Sequence, residues 1–467
     1  MIDEARRDTA ATLLRETPCS VVLPAGCGKT YLVAVCGAVV SREGKRLLVL
    51  THTHAAVNAI RRRMSAFGVG NARILTIDSW CFRLVSAFPA LSGHPPQDEV
   101  QWPQVHEAVA RLLDNPHVSS MLEQSYDYVL VDEYQDCTQL QHAVVCRLAG
   151  MLPTVVLGDP LQALYDFAGD PVDWQTDLSM FPPVAVEAVP WRWRKPGANA
   201  QLGEALEDIR ARLESHAGVD LRDYPIDWIR DDPRTRTSTC LSLSSFDGSV
   251  VILAQHANQC AHEARNLGGR FGMMEELQGK VMLEYAESVD SGDGLRAARA
   301  TILFAKNCFS KLPSGLKQKA DAMTQSFPGY RQGSTLGPLL SALEKVAEEA
   351  APAFVDSALD RVEELGGVLF RKEAWLDVRR AVRRWGEGSS DDLSAAIRAT
   401  RDVVRLLGQR EMRRVVSRVR LVKGQEYDAC VVLGADALER RELYVAVTRP
   451  CRRLSVMSPS PVLNPTS

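Results

Sequence analysis

The chain has 467 residues, of which 46% are hydrophobic and 24% are charged, as in an ordinary globular protein. This length allows about two to four domains. The net charge of −3 excludes a strongly basic protein, so any nucleic-acid site must be a local groove. The 11 cysteines include no Cys-x-x-Cys pair, which favours reduced thiols in the cytoplasm over disulfides or a zinc site. We expect no signal peptide and no membrane span, because no apolar run reaches about 18 residues.

The first candidate site is a loop between a predicted strand and a predicted helix. The strand ends at Leu23, the loop reads LPAGCGKT up to Thr30, and an apolar helix follows over 31–40. Glycines let backbone N–H groups surround phosphate oxygens, and a helix N-terminus favours negative charge. Lys29 would neutralise the outer phosphates, and the Thr30 hydroxyl would ligate Mg²⁺. Leu23 stands where the usual motif has glycine, so an ordinary strand-to-helix turn is the alternative.

Strands and helices alternate over the rest of the first half. Residues 86–125 contain five prolines and a helical stretch near 104–114, which predicts a small insertion. The alternation predicts a parallel sheet covered by helices on both faces, with ligands at the carboxyl ends of its strands. The predicted strands after the loop are 46–51, 74–77, 127–131 and 154–157.

Two acidic residues follow the strand at 127–131 directly. Asp132 would hold Mg²⁺ through water, and Glu133 would orient and deprotonate an attacking water molecule. Acidic pairs are also common in solvated turns. An apolar strand that leads straight into the pair favours the catalytic interpretation.

The second half begins as α/β, becomes helical and then returns to α/β. A strand at 249–254 is followed by a helix around 257–267, and the pattern is helical from about 270 to 411. Strand character returns at 415–422, at 429–433 and again near the end of the sequence. We therefore predict a second α/β domain that contains a helical insertion.

Eight segments together resemble the motifs of one known family. VLVDEYQD at 129–136 resembles motif II of the UvrD/Rep-like branch of superfamily 1 DNA helicases, in a compact form. Motif I of that family tolerates a residue other than glycine at the position of Leu23. The other seven segments follow the family's order from motif I to motif VI: AGCGKT at 25–30, LVLTHTHAAVNAI at 48–60, LTIDSW at 75–80, VLGDPLQALYDFAGD at 156–170, PWRW at 190–193, VKGQEYDACVV at 422–432 and RRELYVAVTR at 440–449.

The resemblance implies an α/β fold with two RecA-like P-loop domains, each built on a parallel sheet. The first domain would carry a small insertion, and the second would carry a helical insertion. The implied ranges are 1–85 and 126–189 for the first RecA-like domain, 86–125 for its insertion, 190–269 and 412–467 for the second RecA-like domain, and 270–411 for the helical insertion.

The resemblance also implies an ATP and Mg²⁺ site with named residues. Gln162 would sense the γ-phosphate, and Arg192 and Arg449 would act as arginine fingers. Arg194 is an alternative to Arg192, because WRWR leaves the register open. The implied catalytic residues are Lys29, Asp132, Glu133, Gln162, Arg192 and Arg449, with Mg²⁺ on Thr30 and Asp132. The implied nucleotide-binding residues are Ala25, Gly26, Cys27, Gly28, Lys29, Thr30, Trp191 beside the base, and Glu426.

Single-stranded nucleic acid would bind through stacking and through motif Ia. Aromatic side chains stack on bases, and each such contact contributes about 1–3 kcal/mol. Within motif Ia, His52 replaces a more usual Phe. The implied DNA-binding residues are Tyr165, Phe167, Trp80, Thr51, His52 and Thr53.

One departure from the family concerns the nucleotide base. The glutamine that recognises adenine in the family is missing, and the sequence there reads Arg6-Arg7-Asp8. This leaves open the preference for ATP over other triphosphates.

The resemblance implies an ATP-dependent helicase or translocase on single-stranded or tailed duplex DNA, of 3′-to-5′ polarity, in DNA repair or anti-phage defence. Compact relatives occur beside a nuclease in anti-phage modules of the Gabija type. The alternative is a DNA-gated ATPase switch that senses DNA ends and licenses a partner nuclease without processive unwinding. A catalytically inactive DNA-binding scaffold is the third interpretation.

Overall fold

The computed structural model describes residues 3–93, 101–164, 169–276, 279–407 and 412–466. The chain forms two compact units. The first unit is made of Met1–Val219, Glu439–Arg452 and Asn464–Ser467, and the second is made of Asp220–Leu438 and Arg453–Leu463.

Strands and helices alternate through much of the described chain. The strands are β1 Cys19–Val22, β2 Leu47–Thr51, β3 Ala72–Thr76, β4 Tyr128–Val131, β5 Thr154–Gly158, β6 Val219–Asp220, β7 Asp227–Arg230, β8 Val250–Ala254, β9 Gly272–Met273, β10 Phe309–Ser310, β11 Val368–Leu369, β12 Arg414–Arg418, β13 Tyr427–Val432, β14 Pro450–Ser458 and β15 Val462–Leu463. The α-helices are α1 Glu4–Arg15, α2 Lys29–Arg42, α3 His54–Ala66, α4 Ile77–Ala87, α5 Pro89–Ser92, α6 Trp102–Leu113, α7 Pro116–Ser125, α8 Gln139–Ala149, α9 Ala200–Glu214, α10 Pro233–Ser242, α11 Ala257–Asn266, α12 Lys280–Val289, α13 Gly294–Cys308, α14 Leu316–Ala322, α15 Gly337–Glu348, α16 Pro352–Glu364, α17 Lys372–Gly386, α18 Leu393–Leu407 and α19 Arg440–Val447.

The first unit is built on a parallel five-stranded sheet in the order β1-β5-β4-β2-β3. Every residue of β2 and β5 is buried, as expected for strands that are covered on both faces. Leu48 and Leu50 belong to one apolar core, and Leu47 and Val49 belong to another. Alternate residues of a strand point to opposite faces, so one core lies on each side of the sheet.

The parallel sheet brings the candidate loops to one edge. Its register pairs Val22 with Gly158 and Leu50 with Val131, so the strand ends are level. A single strand, β5, separates the strand before the phosphate loop from the strand before the acidic pair. The small insertion between α4 and β4 contains α5, α6 and α7, and α6 packs against α4 and α8.

The second unit has a six-stranded sheet in the order β7-β14-β13-β8-β12-β9. The pairs β8–β12, β8–β13, β9–β12 and β7–β14 are parallel. Apolar residues of β8, β12 and β13 form its core together with residues of α11.

Helices α12 to α18 of the second unit share one apolar core. Trp375 of α17 is fully buried there, with its ring stacked on Phe304 at 5.6 Å and edge-on to Phe309 at 4.8 Å. No helix in the described ranges is long and apolar enough to cross a membrane.

The predicted α/β fold is confirmed, with two parallel sheets, a small insertion in the first and a helical insertion in the second. Residues 190–219 and 439–452, which we expected in the second RecA-like domain, are part of the first compact unit. The two compact units reflect packing within one conformation and do not test the RecA-like domain boundaries. Those boundaries stay a prediction.

Candidate active site

Two glycines shape the loop between β1 and α2. Gly26 and Gly28 have φ values of +73° and +87°, in the left-handed region that favours glycine. A Cβ atom at Gly26 would lie 2.5 Å from a ring carbon of Trp193, so a larger residue does not fit without movement. The Lys29 side chain is buried, and its Nζ donates to the carbonyl oxygen of Leu23 at 3.0 Å. The loop therefore has the backbone path and the cation that phosphate binding needs.

Leu23 departs from the usual motif because it extends the strand. Its backbone N–H donates to the carbonyl of Gly158 at 3.0 Å, across to the neighbouring strand. Its side chain is fully buried in the same core as Leu32 and Leu157. The position has an ordinary backbone path, so it requires no glycine.

The helix after the loop begins at Lys29, two residues earlier than predicted. Thr30 is the second residue of α2 and is half-buried. The Ala25 N–H donates to the hydroxyl of Tyr444 at 3.2 Å. Burial raises the pKa of the Cys27 thiol to about 11, although Lys29 opposes the shift, so this thiol stays protonated at neutral pH.

The acidic pair is held in an unusual backbone conformation. Glu133 has a φ of 56°, which is uncommon for a residue other than glycine and costs about 1–3 kcal/mol. Its side-chain Oε2 accepts from Nε2 of Gln135 at 2.6 Å. Asp132 Oδ1 accepts from the Glu133 N–H at 3.0 Å. These contacts fix both carboxylates at the end of β4.

Asp132 is a buried carboxylate with a raised pKa. Burial is the main cause, the nearby Glu133 charge adds to it, and the Lys29 cation opposes it, which brings the pKa of Asp132 to about 7. A buried carboxylate of this kind is stabilised by a bound cation. The Thr30 hydroxyl and this carboxylate both offer oxygen donors, the ligand type that Mg²⁺ prefers, so the predicted Mg²⁺ site stays a prediction.

The structure brings Gln162 and Arg449 together. Nη2 of Arg449 donates to Oε1 of Gln162 at 3.3 Å, and both side chains are buried. Arg449 is also held by the carbonyl of Val445 at 2.8 Å and by the hydroxyl of Thr448 at 2.9 Å. The predicted sensing amide and the predicted arginine finger thus lie in direct contact.

Arg192 and Arg194 differ in burial. Arg192 is buried, donates from Nη1 to the carbonyl of Thr448, and lies over the ring of Trp193 at 5.4 Å. Its backbone N–H donates to the carbonyl of Gly26 at 3.2 Å, in the phosphate loop. Arg194 is exposed. The geometry favours Arg192 for the predicted role.

Three residues near the loop were missed or only partly seen in the sequence. The guanidinium of Arg6 lies 5.6 Å from the ring centroid of Trp191, and Trp191 approaches the Cβ position of Gly28 at 3.4 Å. In the sequence, the stretch Arg6-Arg7-Asp8 is notable only because the family's glutamine is missing there. Arg210 and Tyr444 contact the site as well, and nothing in the local sequence around Arg210 pointed to it.

The predicted DNA-binding residues are those of motif Ia, Trp80, and the aromatic pair after Gln162. Thr51 is buried at the end of β2, and its hydroxyl has no hydrogen-bond partner in the described structure. Nε2 of His52 lies 3.4 Å from Sγ of Cys137, and Thr53 caps α3 by accepting from the Ala56 N–H. Trp80 is buried in an apolar core, which weighs against the predicted stacking role. The predictions for Tyr165 and Phe167 lie outside the described residues.

Glu426, the remaining predicted nucleotide-pocket residue, belongs to the second compact unit. It is exposed and directly precedes β13. Its predicted role in the nucleotide pocket stays a prediction.

Comparison with known proteins gives one family match and one short relative. Residues 97–173 match the family of the UvrD/REP helicase N-terminal domain. A segment of 64 residues is 44% identical to an ATP-dependent helicase/nuclease subunit of Natranaerobius thermophilus, and covers 13% of this chain and 5% of that protein. The matched segment therefore spans a small part of that relative.

Two solved helicase structures are similar at a low level. The Pif1 helicase from Candida albicans matches with a TM-score of 0.43 at 10% identity, over 98% of this chain and 94% of that one. The PRRSV helicase matches with a TM-score of 0.33 at 12% identity, over 97% of this chain and 54% of that one. These likenesses are too weak to add to the argument.

The family match covers the segment that contains the acidic pair, and the motifs on both sides of it follow the order of the same family. The matched segment of this chain is therefore similar to the UvrD/REP helicase N-terminal domain.

Proposed function

We propose that this chain is an ATP-dependent DNA helicase or translocase that acts on single-stranded or tailed duplex DNA. The observation that carries the proposal is one hydrogen-bonded network that links Glu133, Gln162 and Arg449 in the compact unit that contains the phosphate loop. A triphosphate bound to this loop would contact a general base (Glu133), a sensing amide (Gln162) and a cation (Arg449). The name of the short relative, which describes an ATP-dependent enzyme, supports ATP as the nucleotide.

The residues divide the work of hydrolysis. Lys29 and the loop N–H groups would bind the outer phosphates, and Glu133 would orient the attacking water and accept its proton. Mg²⁺ held by Thr30 and Asp132 would neutralise phosphate charge when bound. Arg449, with Arg192 beside the loop, would stabilise the negative charge that develops on the transferred group. Such an arginine contributes about 10³ to 10⁵ in rate in related chemistry.

A contact behind the acidic pair supports coupling to DNA. His52 of motif Ia lies against Cys137, which follows the 132–136 turn. A strand bound near Thr51, His52 and Thr53 would act through this contact on the turn that positions Glu133. Tyr165 and Phe167 stay the proposed stacking residues, and the proposed polarity is 3′-to-5′.

A nuclease partner is part of the proposal. The relative's name joins helicase and nuclease functions, which supports a DNA-processing role in repair or in anti-phage defence. The alternative function is a DNA-gated ATPase switch that licenses such a nuclease without processive unwinding. The 11 cysteines are free thiols in the structure, which supports a cytoplasmic location.

The first test is ATP turnover and strand displacement by the full chain. We expect single-stranded DNA to stimulate ATP hydrolysis, and Lys29→Ala and Glu133→Gln each to lower the turnover by about 100-fold or more. Arg212→Ala, which changes a half-buried side chain that pairs with Asp208 on α9, serves as the control. Displacement of a 3′-tailed duplex but not of a 5′-tailed duplex is the expected polarity.

The outcomes separate the three interpretations. Turnover that both substitutions leave unchanged supports the inactive scaffold. DNA-stimulated turnover without displacement, with and without an added nuclease partner, supports the switch and contradicts the helicase.

A further inference from the structure

Asp159 is a fully buried carboxylate at the end of β5 that orients Gln162. Its Oδ2 accepts from Nε2 of Gln162 at 2.7 Å. An amide has donors on one side and an acceptor on the other, so this bond leaves Oε1 of Gln162 to accept from Arg449. Without the carboxylate the amide is free to turn over and present its donors to the Arg449 cation.

The same aspartate is connected to the catalytic acid. The Asp159 N–H donates to Oε1 of Gln135 at 2.9 Å, and Nε2 of Gln135 donates to Glu133 at 2.6 Å. The turn after β5 thus contacts both the predicted base and the predicted sensor.

Arg210 of α9 is the cation that holds Asp159. Its Nη1 lies 2.7 Å from Oδ1 of Asp159, and the Arg210 side chain is only 11% exposed. Burial disfavours the charged guanidinium, but the Asp159 charge and the Tyr444 hydroxyl outweigh this and raise the pKa of Arg210. The contact therefore joins two opposite charges away from solvent, where the loss of one partner is costly.

Arg210 also contacts the group that holds the phosphate loop. Its Nη1 donates to the Tyr444 hydroxyl at 2.9 Å, and the guanidinium lies 5.2 Å from the centroid of that ring. The same hydroxyl accepts from the Ala25 N–H at 3.2 Å. One guanidinium thus touches both the carboxylate that orients the sensor and the hydroxyl that holds the loop. Its outer nitrogen pairs with Glu214 at 2.9 Å near the surface.

We propose that Arg210 is a positioning residue for nucleotide hydrolysis, which fixes Asp159 and so presents the Gln162 carbonyl to Arg449. Through Tyr444 it also ties this arrangement to the phosphate loop. The inference rests on the proposed function, because it assigns a role in the same site.

The experiment compares Arg210→Gln and Arg210→Lys with wild type, with Arg212→Ala as the matched control. Arg212 lies on the same helix, where it pairs with Asp208 at the surface. DNA-stimulated ATP hydrolysis gives kcat and KM, and tryptophan fluorescence reports binding of a non-hydrolysable ATP analogue. Circular dichroism checks that each variant is folded.

We expect Arg210→Gln to lower kcat by about 10-fold to 100-fold, because small misplacement of catalytic groups has effects of this size. KM and analogue binding should change little, because Lys29, the loop glycines and the hydrogen bond from Ala25 to Tyr444 remain. Arg210→Lys keeps a charge near Asp159 but lacks the planar fork that serves two partners, so its kcat should be intermediate. Arg212→Ala should match wild type.

A double-mutant cycle with Asp159→Asn tests the mechanism. If Arg210 acts through Asp159, Arg210→Gln should have a much smaller effect on kcat in the Asp159→Asn background. Equal effects in both backgrounds contradict the inference, and so does a kcat like that of wild type. If Arg210→Gln does not fold, Arg210→Lys decides by the same criteria.

The turnover of the wild-type chain and of Lys29→Ala distinguishes a failure of this inference from a failure of the proposed function. Wild-type turnover that Lys29→Ala abolishes supports the proposed function, and normal kcat in both Arg210 variants then contradicts the inference alone. If wild type shows no DNA-stimulated turnover, the proposed function fails and the inference fails with it.

Discussion

At the scale of single residues, the structure changes the meaning of two apparent departures from the family. Leu23 is a core residue at the end of β1, so its position requires no glycine. The stretch Arg6-Arg7-Asp8 lacks the adenine-reading glutamine of the family, and the guanidinium of Arg6 lies over Trp191 beside the phosphate loop. The first departure is explained by core packing, whereas the second motivates a prediction about the choice of nucleotide.

We predict that Arg6→Gln shifts the nucleotide preference toward ATP. Arginine offers only donors, which match the two acceptors of guanine, whereas glutamine matches the donor and acceptor of adenine. A matched pair of bonds contributes about 1–3 kcal/mol, so the ratio of kcat/KM for ATP over GTP should rise by about 10-fold. Arg15→Gln, an exposed change on the same helix, is the control. An unchanged ratio would show that Arg6 does not read the base.

We predict that Asp132→Asn stabilises the metal-free protein at pH 8. The folded pKa of about 7 lies above the usual 3.8, so ionisation opposes folding, increasingly from about pH 4 to pH 7 and fully above pH 7. Asparagine removes a cost of about 2–4 kcal/mol, which thermal unfolding in EDTA should show as a higher Tm. The gain should shrink toward pH 4. An equal gain at both pH values would mean that charge is not the cause.

At the scale of elements, parallel strands explain why the candidate loops meet. The loop after β1, the acids after β4 and the turn after β5 leave the same edge because their strands run in the same direction. Helix α19 then adds Tyr444 and, just past its end, Arg449 to this group. No local pattern in the sequence brings Arg210 of α9 to Asp159 after β5, which is why Arg210 was missed.

The helices of the second unit depend on a buried ion group. Arg401 of α18 lies 2.8 Å from both Glu373 and Asp377 of α17, and its side chain is 3% exposed. We predict that Arg401→Ala destabilises this unit by about 3–5 kcal/mol, because it removes this cation from the buried Glu373 and leaves Asp377 with only the partly exposed Arg380. Denaturant unfolding measures the change.

The matched control for this change is Arg361→Ala. Arg361 pairs with Glu364 in solvent on α16, so its loss should cost at most about 1 kcal/mol. Equal losses in the two variants would contradict the assigned role of Arg401.

At the scale of the whole molecule, the order of the motifs is the main basis of the resemblance to the helicase family. The strand-loop-helix pattern and the acids after β4 predicted the fold class and the phosphate and metal residues, because these depend on short contiguous segments. The alternation of strands and helices also predicted both sheets and both insertions. The residues that complete the site are far apart in sequence, so their contacts depend on packing.

The sequence by itself determined the α/β fold, and it predicted the phosphate loop, the acidic pair and the family resemblance, since each depends on local spacing and residue type. Only the tertiary structure decided that Arg192 rather than Arg194 is buried beside the loop, and that Trp80 is a core residue. It alone revealed the contacts of Arg210 with Asp159 and Tyr444. Burial and hydrogen bonding between distant segments arise when helices pack on the sheet, and a linear pattern does not specify that arrangement.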